Sequence, residues 1–309
     1  MPAPALIALD WGTSNLRASL LDAGGSDIET RSAPGGVMAV QGGRFAEALL
    51  ALCGDWILRF DCPLIASGMV GSRQGWKEAP YLACPAGLAE AARQLTTVTI
   101  DAATGRQLHI APGLKCTDPA GLFDVMRGEE TQIWGARLPD GTTCVLPGTH
   151  SKWAWLGGAG VIRTFRTFMT GELFGLLTQH GILGRLMVFG RHRPEDFVAG
   201  VRLGLQGHAA LSHTVFAART AGLMGRVAPE GLPDYLSGIL IGGEIGAAAA
   251  SLEASQRAAG VVLIGDDDLC QRYALALEVH GIASRRAPAG TTTSGQWRIA
   301  GAGGLVAST

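Results

Sequence analysis

The chain has 309 residues, 47% of them hydrophobic and 17% charged, so it is long enough to bury a large core and to form two domains. A formal net charge of -1, without a run of Lys or Arg, argues against nucleic acid as a partner but leaves small anions open. The apolar stretch 235–252 contains Gly242, Gly243 and Glu244, so we expect no membrane span. The N-terminus lacks the basic segment of a secretory signal and the six cysteines are scattered, which predicts reduced thiols and a cytoplasmic location.

A β-hairpin is the first predicted element, over residues 6–21. An apolar strand ends at Asp10, and a second strand with alternating apolar residues follows the turn. The turn offers a glycine, which lets a phosphate approach the backbone, and short polar residues whose N–H and hydroxyl groups suit its oxygens: Gly12, Thr13, Ser14 and Asn15. We predict a phosphate-binding turn with Asp10 at its mouth as an anchor for hydrated Mg²⁺. An ordinary hairpin with a polar turn is the alternative.

Residues 67–85 follow a helix predicted over 44–59 and a strand predicted over 63–66. This segment mixes glycine, charge and aromatic residues without periodicity, which is typical of a functional loop. A solvated connection is the alternative, but it would expose two costly aromatic side chains. The candidate ligand-binding residues are Ser67, Ser72, Arg73, Trp76 and Lys77.

Two adjacent glutamates, Glu129 and Glu130, mark the segment 124–136, which we predict to be a helix. Acidic residues near a helix start also suit the helix dipole, so capping is the plain alternative. A second hairpin, predicted over 143–155, repeats the order of strand, glycine turn, hydroxyl residues and strand. Two such hairpins are less expected by chance than one, so we predict a second phosphate-binding turn that contains Gly148, Thr149, Ser151 and Lys152.

The remaining chain is predicted to form helices over 165–179 and 216–224. A buried strand over 261–264 then turns at Gly265 into a helix over 269–280, and such a turn is a usual place for a nucleotide in α/β layers. The three aspartates after Gly265 suit ribose hydroxyls or a helix N-cap better than an anion. The glycine patterns of P-loop and Rossmann proteins are absent from the sequence, and its histidine spacing matches no metal site.

The order of hairpin, acidic helix, second hairpin and late glycine turn resembles the actin-like ATPase superfamily. Within it, four strings of this sequence resemble the 2-dehydro-3-deoxygalactonokinase family of sugar-acid kinases: SGMVGSRQGWKEAPY, DVMRGEETQIWGA, LPGTHSKW and TGELF. The resemblance implies an α/β, two-domain, actin-like (ribonuclease H-like) fold with a nucleotide cleft between the domains. It also implies an N-terminal domain 1–137, joined by a C-terminal helix 295–309, and a C-terminal domain 138–294.

The same resemblance implies transfer of the γ-phosphoryl group of ATP, with Mg²⁺, to the 6-hydroxyl of 2-dehydro-3-deoxy-D-galactonate in galactonate catabolism, and it is compatible with a homodimer. Carried over by position, Asp10 would hold Mg²⁺ through water. The phosphates would be bound by Gly12, Thr13, Ser14, Gly148, Thr149 and Ser151. The adenosine side would be formed by Gly242, Gly243 and Gly265.

Two roles stay open within this assignment. The resemblance to the acidic helix of exopolyphosphatases makes Glu129 or Glu130 the candidate base, with Asp124 in reserve. A bidentate arginine is the natural partner for the substrate carboxylate, and Arg73 is the first choice. The alternatives are Arg127, Arg166, Lys77 and Lys152.

Three other functions remain open at this stage. The adjacent glutamates would also suit an exopolyphosphatase-like hydrolase of phosphoanhydrides. A kinase for a related 2-keto-3-deoxy sugar acid, such as the gluconate epimer, would differ in a single hydroxyl contact. A nucleotide-dependent binding module is the third, although 309 residues show no appended peptide-binding domain.

Overall fold

A computed structural model describes residues 2–101, 103–118 and 120–307. It divides into two compact units. The first unit comprises Met1–Asp140, Leu156–Phe165 and Pro288–Thr309, and the second comprises Gly141–Trp155 and Arg166–Ala287. The division into domains at residues 137 and 294 stays a prediction.

The strands are β1 (Pro4–Trp11), β2 (Asn15–Asp22), β3 (Asp27–Pro34), β4 (Leu64–Ser67), β5 (Tyr81–Ala83), β6 (Thr96–Asp101), β7 (Arg106–Ile110), β8 (Gly113–Thr117), β9 (Phe123–Met126), β10 (Thr143–Leu146), β11 (Ser151–Leu156), β12 (Ile162–Phe168), β13 (Val261–Leu263) and β14 (Ser284–Arg286). The α-helices are α1 (Phe45–Arg59), α2 (Leu88–Arg93), α3 (Glu129–Gly135), α4 (Thr170–Gln179), α5 (Pro194–Gly207), α6 (Leu211–Thr214), α7 (Ala217–Leu223), α8 (Leu232–Ala249), α9 (Ala254–Ala259), α10 (Asp267–Val279) and α11 (Thr291–Ala302).

The main sheet of the first unit has the strand order β3-β2-β1-β4-β7-β6. Strands β1 and β2 pair antiparallel, which confirms the first predicted hairpin, whereas β1 pairs with β4 and β4 with β7 in parallel. Alternate residues of β1, namely Ile7, Leu9 and Trp11, are buried in a core that includes α1. Parallel pairing brings the carboxyl ends of β1 and β4 to one edge of the sheet, with Asp10 in register with Ser67.

The second unit repeats this arrangement. Strands β11, β10, β13 and β14 lie side by side in that order, β10 and β11 antiparallel and the other pairs parallel. This pairing confirms the second predicted hairpin. The core packs around Val145, Trp153 and Leu263 of these strands and Tyr273 of α10. The turn between β10 and β11 therefore occupies the position that the turn between β1 and β2 has in the first unit.

Three sequence-based boundaries are wrong. Residues 124–126 belong to β9, which pairs with β8, and helix α3 begins only after Gly128, whose φ of +107° interrupts a helix. Residues 165–168 belong to β12 and not to a helix. The C-terminal helix spans Thr291–Ala302 rather than 295–309, and residues 308 and 309 lie outside the described residues.

Helix α8 is apolar because it lies in the core of the second unit. Glycines of α8 and α5 face each other so closely that an added Cβ at Gly200, Gly204, Gly238 or Gly242 would lie 2.1–2.4 Å from a carbonyl oxygen of the other helix. No helix in the described part of the chain is long and apolar enough to cross a membrane. All six cysteines lie within the described ranges and are free thiols.

Candidate active site

The turn between β1 and β2 presents exposed Thr13 and Ser14 at its tip. Its shape is fixed from behind by residues 35–38, whose N–H groups donate to the carbonyls of the turn, as Val37 N does to Gly12 O at 3.0 Å. An added Cβ at Gly36 would lie 2.3 Å from the Thr13 carbonyl carbon, so this backbone approach requires glycine. The sequence analysis missed this supporting segment.

Asp10 lies at the carboxyl end of β1, beside Arg17 of β2. Burial raises the pKa of the Asp10 carboxyl above its ordinary value; the Arg17 guanidinium opposes the rise and the Glu129 carboxylate adds to it. Two neighbouring carboxylates that repel each other suit a divalent cation. The described residues contain no group of three or more His, Cys, Asp or Glu that could hold a metal ion, so a cation at Asp10 would keep water ligands, as Mg²⁺ commonly does.

Two glycines bring three segments of the first unit together. Gly68 has a φ of +93°, and its added Cβ would lie 2.8 Å from Trp11 O and 3.7 Å from Asp10 Oδ1. An added Cβ at Gly128 would lie 3.2 Å from Gly68 Cα. The end of β1, the end of β4 and the start of α3 therefore meet at backbone contact distance, and this brings Asp10 close to Glu129.

Ser67 does not bind ligand through its side chain as expected, because its hydroxyl is fully buried. It accepts a hydrogen bond of 2.8 Å from Gln296 Nε2, which also donates to Leu9 O at 2.6 Å. Gln296 of α11 thereby links β1 to β4 just before Asp10. This link was not predicted, because an isolated glutamine gives no sequence signal for a contact with residue 9.

Glu130 and Glu129 occupy different environments at the start of α3. Glu130 is only 1% exposed; it accepts a hydrogen bond from Gly128 N at 2.8 Å and from Thr131 Oγ1 at 3.1 Å. Burial, aided by the nearby Glu129 charge, raises the pKa of Glu130 to about 7. Glu129 is half-buried, and one of its oxygens accepts a hydrogen bond of 3.0 Å from Arg127 N.

The raised pKa of Glu130 is expected to lower the free energy of unfolding as the pH rises from about 4.5 to about 7, and Glu130→Gln should remove this contribution and so reduce the pH dependence. The folded state holds the Glu130 proton more tightly than the unfolded state, so this stabilisation is complete below the unfolded pKa and is lost as the pH passes the folded pKa. The difference is on the order of 3 kcal/mol. Urea unfolding of the parent protein and of Glu130→Gln at pH 5 and pH 7.5 measures this difference. An equal change in the free energy of unfolding for the two proteins would contradict the prediction.

The residues of the loop after β4 that were predicted to bind ligand lie partly in the core and partly on the surface. Trp76 packs into the core, its ring stacked on Phe45 with centroids 6.1 Å apart. Lys77 donates to Thr97 O at 2.9 Å. The side chain of Arg73 is 85% exposed and approaches Glu78 at 3.7 Å. Arg73 and Lys77 therefore remain on the surface, whereas Trp76 shapes the loop from inside.

Arg127, which follows β9, is buried and only partly satisfied. Its Nη2 donates to Ala79 O at 2.8 Å, and its guanidinium lies 4.2 Å from the centre of the Tyr81 ring. Its Nη1 and the buried Ser72 Oγ have no hydrogen-bond partner among the described residues. A buried donor without a partner costs about 1–3 kcal/mol, so these two groups suit an additional polar ligand.

The turn between β10 and β11 is braced by the first residues of α4. Glu172 N donates to Thr149 O at 3.0 Å, and an added Cβ at Gly171 would lie 2.6 Å from Gly148 O. Thr149 is exposed at the tip of the turn. The Lys152 ammonium is turned back to His150 O at 2.9 Å. Gly148 and Thr149 are thus held at the tip of a braced turn, and their binding of phosphate stays a prediction.

The expected phosphate contact of the Ser151 side chain is corrected by the structure. Ser151 is fully buried, and its hydroxyl donates to Glu244 Oε1 at 2.7 Å. Three further side chains donate to the Glu244 carboxylate, which is 3% exposed. They are Trp153 Nε1 at 2.8 Å, Tyr273 Oη at 2.6 Å and Thr170 Oγ1. Glu244 therefore connects β11, α4 and α10. Its signal in the sequence was an acidic residue in the otherwise apolar stretch 235–252.

A cavity of about 470 Å³ in the second unit adjoins this turn. Gly148, Thr170 and Gly171 form part of its wall, and Phe174, Phe189 and Leu240 are among its apolar residues. Asp234 and Arg272 supply charge and form an ion pair with each other. Gly265 follows the end of β13, where its added Cβ would be 3.6 Å from Pro147 O. Asp266 is the N-cap of α10, one of the two roles expected for the aspartates at this turn.

Gly242 and Gly243 do not have the placement that the sequence analysis assigned to them. Both are buried within α8 and not in a turn. An added Cβ at Gly242 would lie 2.4 Å from Val201 O of α5. The face of Gly242 on which a side chain would stand therefore packs against α5 and leaves no room for a nucleotide. Leu240 and Ile241, the preceding residues, do line the cavity.

Gly242→Ala is expected to lower the free energy of unfolding by about 3 kcal/mol, because the added methyl group must push α5 and α8 apart. Gly175→Ala is the matched control. It lies inside α4 with open space at its Cβ position, so alanine should stabilise the protein by about 1 kcal/mol or less. Thermal and urea unfolding measure both. A raised KM for ATP at unchanged stability in Gly242→Ala would instead indicate a nucleotide contact.

A family model described as 2-keto-3-deoxy-galactonokinase matches residues 10–299. The chain belongs to this family. It is 38% identical over 276 residues to a 2-dehydro-3-deoxygalactonokinase of Escherichia coli K12, an alignment that covers 89% of this chain and 90% of that protein. A crystal structure of a Sinorhizobium meliloti protein assigned as a 2-dehydro-3-deoxygalactonokinase superposes with a TM-score of 0.86 at 34% identity, covering 96% of this chain and 98% of that one.

The fold of this 2-keto-3-deoxy-galactonokinase family member is also found in a more distant solved structure. Component A of (R)-2-hydroxyglutaryl-CoA dehydratase from Acidaminococcus fermentans has a TM-score of 0.51 at 13% identity, and covers 96% of this chain and 95% of its own. At that identity the similarity concerns the fold alone. The predicted fold class and the family resemblance are both confirmed.

Proposed function

We propose that this protein transfers the γ-phosphoryl group of ATP to the 6-hydroxyl of 2-dehydro-3-deoxy-D-galactonate, as a step of galactonate catabolism. The proposal rests on family membership and, within the structure, on one observation. Asp10, Glu129 and Glu130 lie at the glycine-rich meeting point of β1, β4 and α3, next to a turn with exposed hydroxyl residues. Phosphoryl transfer requires this combination of positioning, charge neutralisation and a carboxylate near the attacking hydroxyl.

The phosphates of the nucleotide would be bound at the two hairpin turns, and its adenosine in the cavity of the second unit. We assign phosphate binding to Gly12, Thr13 and Ser14 of the first unit, and to Gly148 and Thr149 of the second unit. The assignment is supported by the position of these residues at the turns of the two hairpins, where Thr13, Ser14 and Thr149 are exposed. The cavity of about 470 Å³ is of the size that takes a nucleoside, and Gly148 forms part of its wall, which supports placing the adenosine there. Gly265 lies at the adjoining strand end.

The acceptor hydroxyl needs a base, and we assign this role to Glu129. Its carboxylate is half-buried and close enough to Asp10 to raise the pKa of that residue. Glu130 is sealed from solvent and bound to Gly128 N, so it acts as a positioning residue that holds the start of α3. Asp124 lies in β9 and is the reserve candidate.

The metal at Asp10 is proposed to be Mg²⁺, which would neutralise charge on the transferred phosphoryl group. The half-buried carboxylate beside Glu129 fits a hydrated cation of this kind. Asp10 itself would accept hydrogen bonds from the metal's water ligands and so orient them. A cytoplasmic location belongs to the same proposal and is supported by the six free cysteines.

Arg73→Ala is expected to raise KM for the sugar acid by about tenfold and to leave KM for ATP unchanged, because a charge-assisted contact to the substrate carboxylate is lost. Arg73 is the proposed partner because its side chain is 85% exposed and only loosely paired. Arg93→Ala, an exposed arginine of α2, is the matched control. An unchanged KM would move this contact to Arg127, whose Nη1 has no partner among the described residues.

The proposed reaction is tested with the purified protein, ATP and MgCl₂. Formation of ADP and of the 6-phosphate is expected with 2-dehydro-3-deoxy-D-galactonate, and the gluconate epimer measures how far one hydroxyl decides specificity. No ADP formation with either acid would refute the kinase assignment. Release of phosphate from polyphosphate or ATP without a sugar acid would point to a phosphoanhydride hydrolase instead.

A further inference from the structure

A second cavity, of about 570 Å³, lies in the first unit and contains none of the residues assigned to the active site. It is formed where the carboxyl end of α3, helix α11 and residues 156–160 meet. Ile133, Leu156 and Trp297 give it an apolar wall. Its volume is in the range that holds a small metabolite.

Two arginines, Arg137 and Arg298, line this cavity. In the described part of the chain neither guanidinium has a carboxylate within salt-bridge distance, and Arg298 donates only to Trp134 O. Burial and the positive charge of Arg137 both lower the pKa of Arg298. The two cations are thus close enough to repel each other, and an anion between them would relieve this repulsion.

The backbone of Arg137 is held in an unfavourable conformation. Arg137 follows the C-cap residue Ala136 of α3 with a φ of +50°, at a position where glycine is the usual residue. The left-handed conformation costs a non-glycine residue about 1–2 kcal/mol. The Arg137 guanidinium has no hydrogen bond or ion pair among the described residues that would offset this cost, so the strained arginine is a candidate for a role in ligand binding.

Trp134 also lines the cavity. The indole Nε1 of Trp134 is buried and has no hydrogen-bond acceptor among the described residues. Asp140, the acidic residue that lines the cavity, offers an acceptor for hydroxyl groups. The cavity therefore combines two guanidinium groups as donors for an anion, the Asp140 carboxylate as an acceptor for hydroxyl groups and an apolar wall for a carbon skeleton.

We propose that this cavity binds a small sugar phosphate or polyol phosphate as a second ligand of the protein. The phosphate would lie between the guanidinium groups of Arg137 and Arg298 and accept hydrogen bonds from them. Hydroxyl groups of the ligand would donate to Asp140, and its carbon skeleton would lie on the apolar wall. This ligand is separate from the substrate and nucleotide of the proposed reaction.

Isothermal titration with glucose 6-phosphate, inorganic phosphate and glucose tests the proposal on the full chain. Glucose 6-phosphate is expected to bind at least tenfold more tightly than inorganic phosphate, and glucose is expected not to bind. Arg137→Gly and Arg137→Gln should each weaken binding of glucose 6-phosphate by at least tenfold. The glycine variant should keep or raise the Tm without ligand, because glycine accepts the positive φ.

Ala159→Gly is the matched control for backbone effects. Ala159 lines the same cavity with a φ of +56°, so this variant relaxes a similar strain without removing a charge, and it should bind glucose 6-phosphate like the parent protein. Three results would overturn the proposal: no binding of glucose 6-phosphate at millimolar concentration, equal binding of glucose, or binding that the Arg137 variants leave unchanged. The titration measures binding and not kinase activity, so failure of this proposal can be distinguished from failure of the proposed function.

Discussion

Asp10→Asn is expected to lower kcat by on the order of 10³-fold while the Tm stays the same or rises. The amide has the shape of the carboxylate but lacks the charge that orients hydrated Mg²⁺ at the transition state. Stability should not suffer, because burial and the Glu129 charge raise the pKa of Asp10, so ionised Asp10 is unfavourable to the folded state at neutral pH. Steady-state kinetics with an ADP assay and thermal unfolding measure the two effects.

Asp27→Asn serves as the control for this variant. Asp27 is an exposed carboxylate at the start of β3, in the same sheet, and its replacement should change neither kcat nor Tm appreciably. Turnover of Asp10→Asn within a few-fold of the parent protein would remove Asp10 from the mechanism. A large fall in Tm would show that Asp10 has a structural role instead.

Glu244→Ala is expected to lower the free energy of unfolding by about 4 kcal/mol or more, the largest stability effect that we predict. The change leaves four buried donors, from Ser151, Trp153, Thr170 and Tyr273, without their acceptor. Glu244→Gln keeps the shape but turns an NH₂ group toward some of these donors, so a loss of about 1–3 kcal/mol is expected. Urea unfolding gives both values.

Tyr273→Phe is the matched control, since it removes one donor and leaves the carboxylate in place; a loss of about 1–2 kcal/mol is expected. Because Ser151 and Thr170 flank the turn that contains Gly148, Glu244→Gln should also raise KM for ATP. A cost below about 0.5 kcal/mol for Glu244→Gln would show that the four hydrogen bonds do not hold the fold.

The parts of the fold that sequence reasoning predicted are those with local signals. Each hairpin combines an apolar strand with a glycine turn, and both were found. The strand β9 was missed because its formation depends on pairing with β8, and the helix start was displaced by the positive φ of Gly128. Neither effect is visible in the periodicity of the segment.

The site was predicted in its residue types more than in its contacts. Ser67 and Ser151 have the right chemistry for ligands, but their hydroxyls are bound to Gln296 and Glu244, which lie 229 and 93 residues away in the sequence. Gly242 was expected to allow a nucleotide to approach the backbone closely, but the close approach that it allows is between helices α8 and α5. A sequence pattern shows which group is available, and only packing decides which partner takes it.

The contacts of Gln296 have a consequence for how the protein is made. The residue that fixes the ends of β1 and β4 lies 287 positions after Leu9, so it is synthesised long after both strands. Until α11 has left the ribosome, the Leu9 carbonyl and the Ser67 hydroxyl lack their donor, and the segment that carries Asp10 is not held in place. A nascent or truncated chain that ends before Gln296 is therefore expected to have no catalytic competence, even though all of the residues assigned to the reaction are already present.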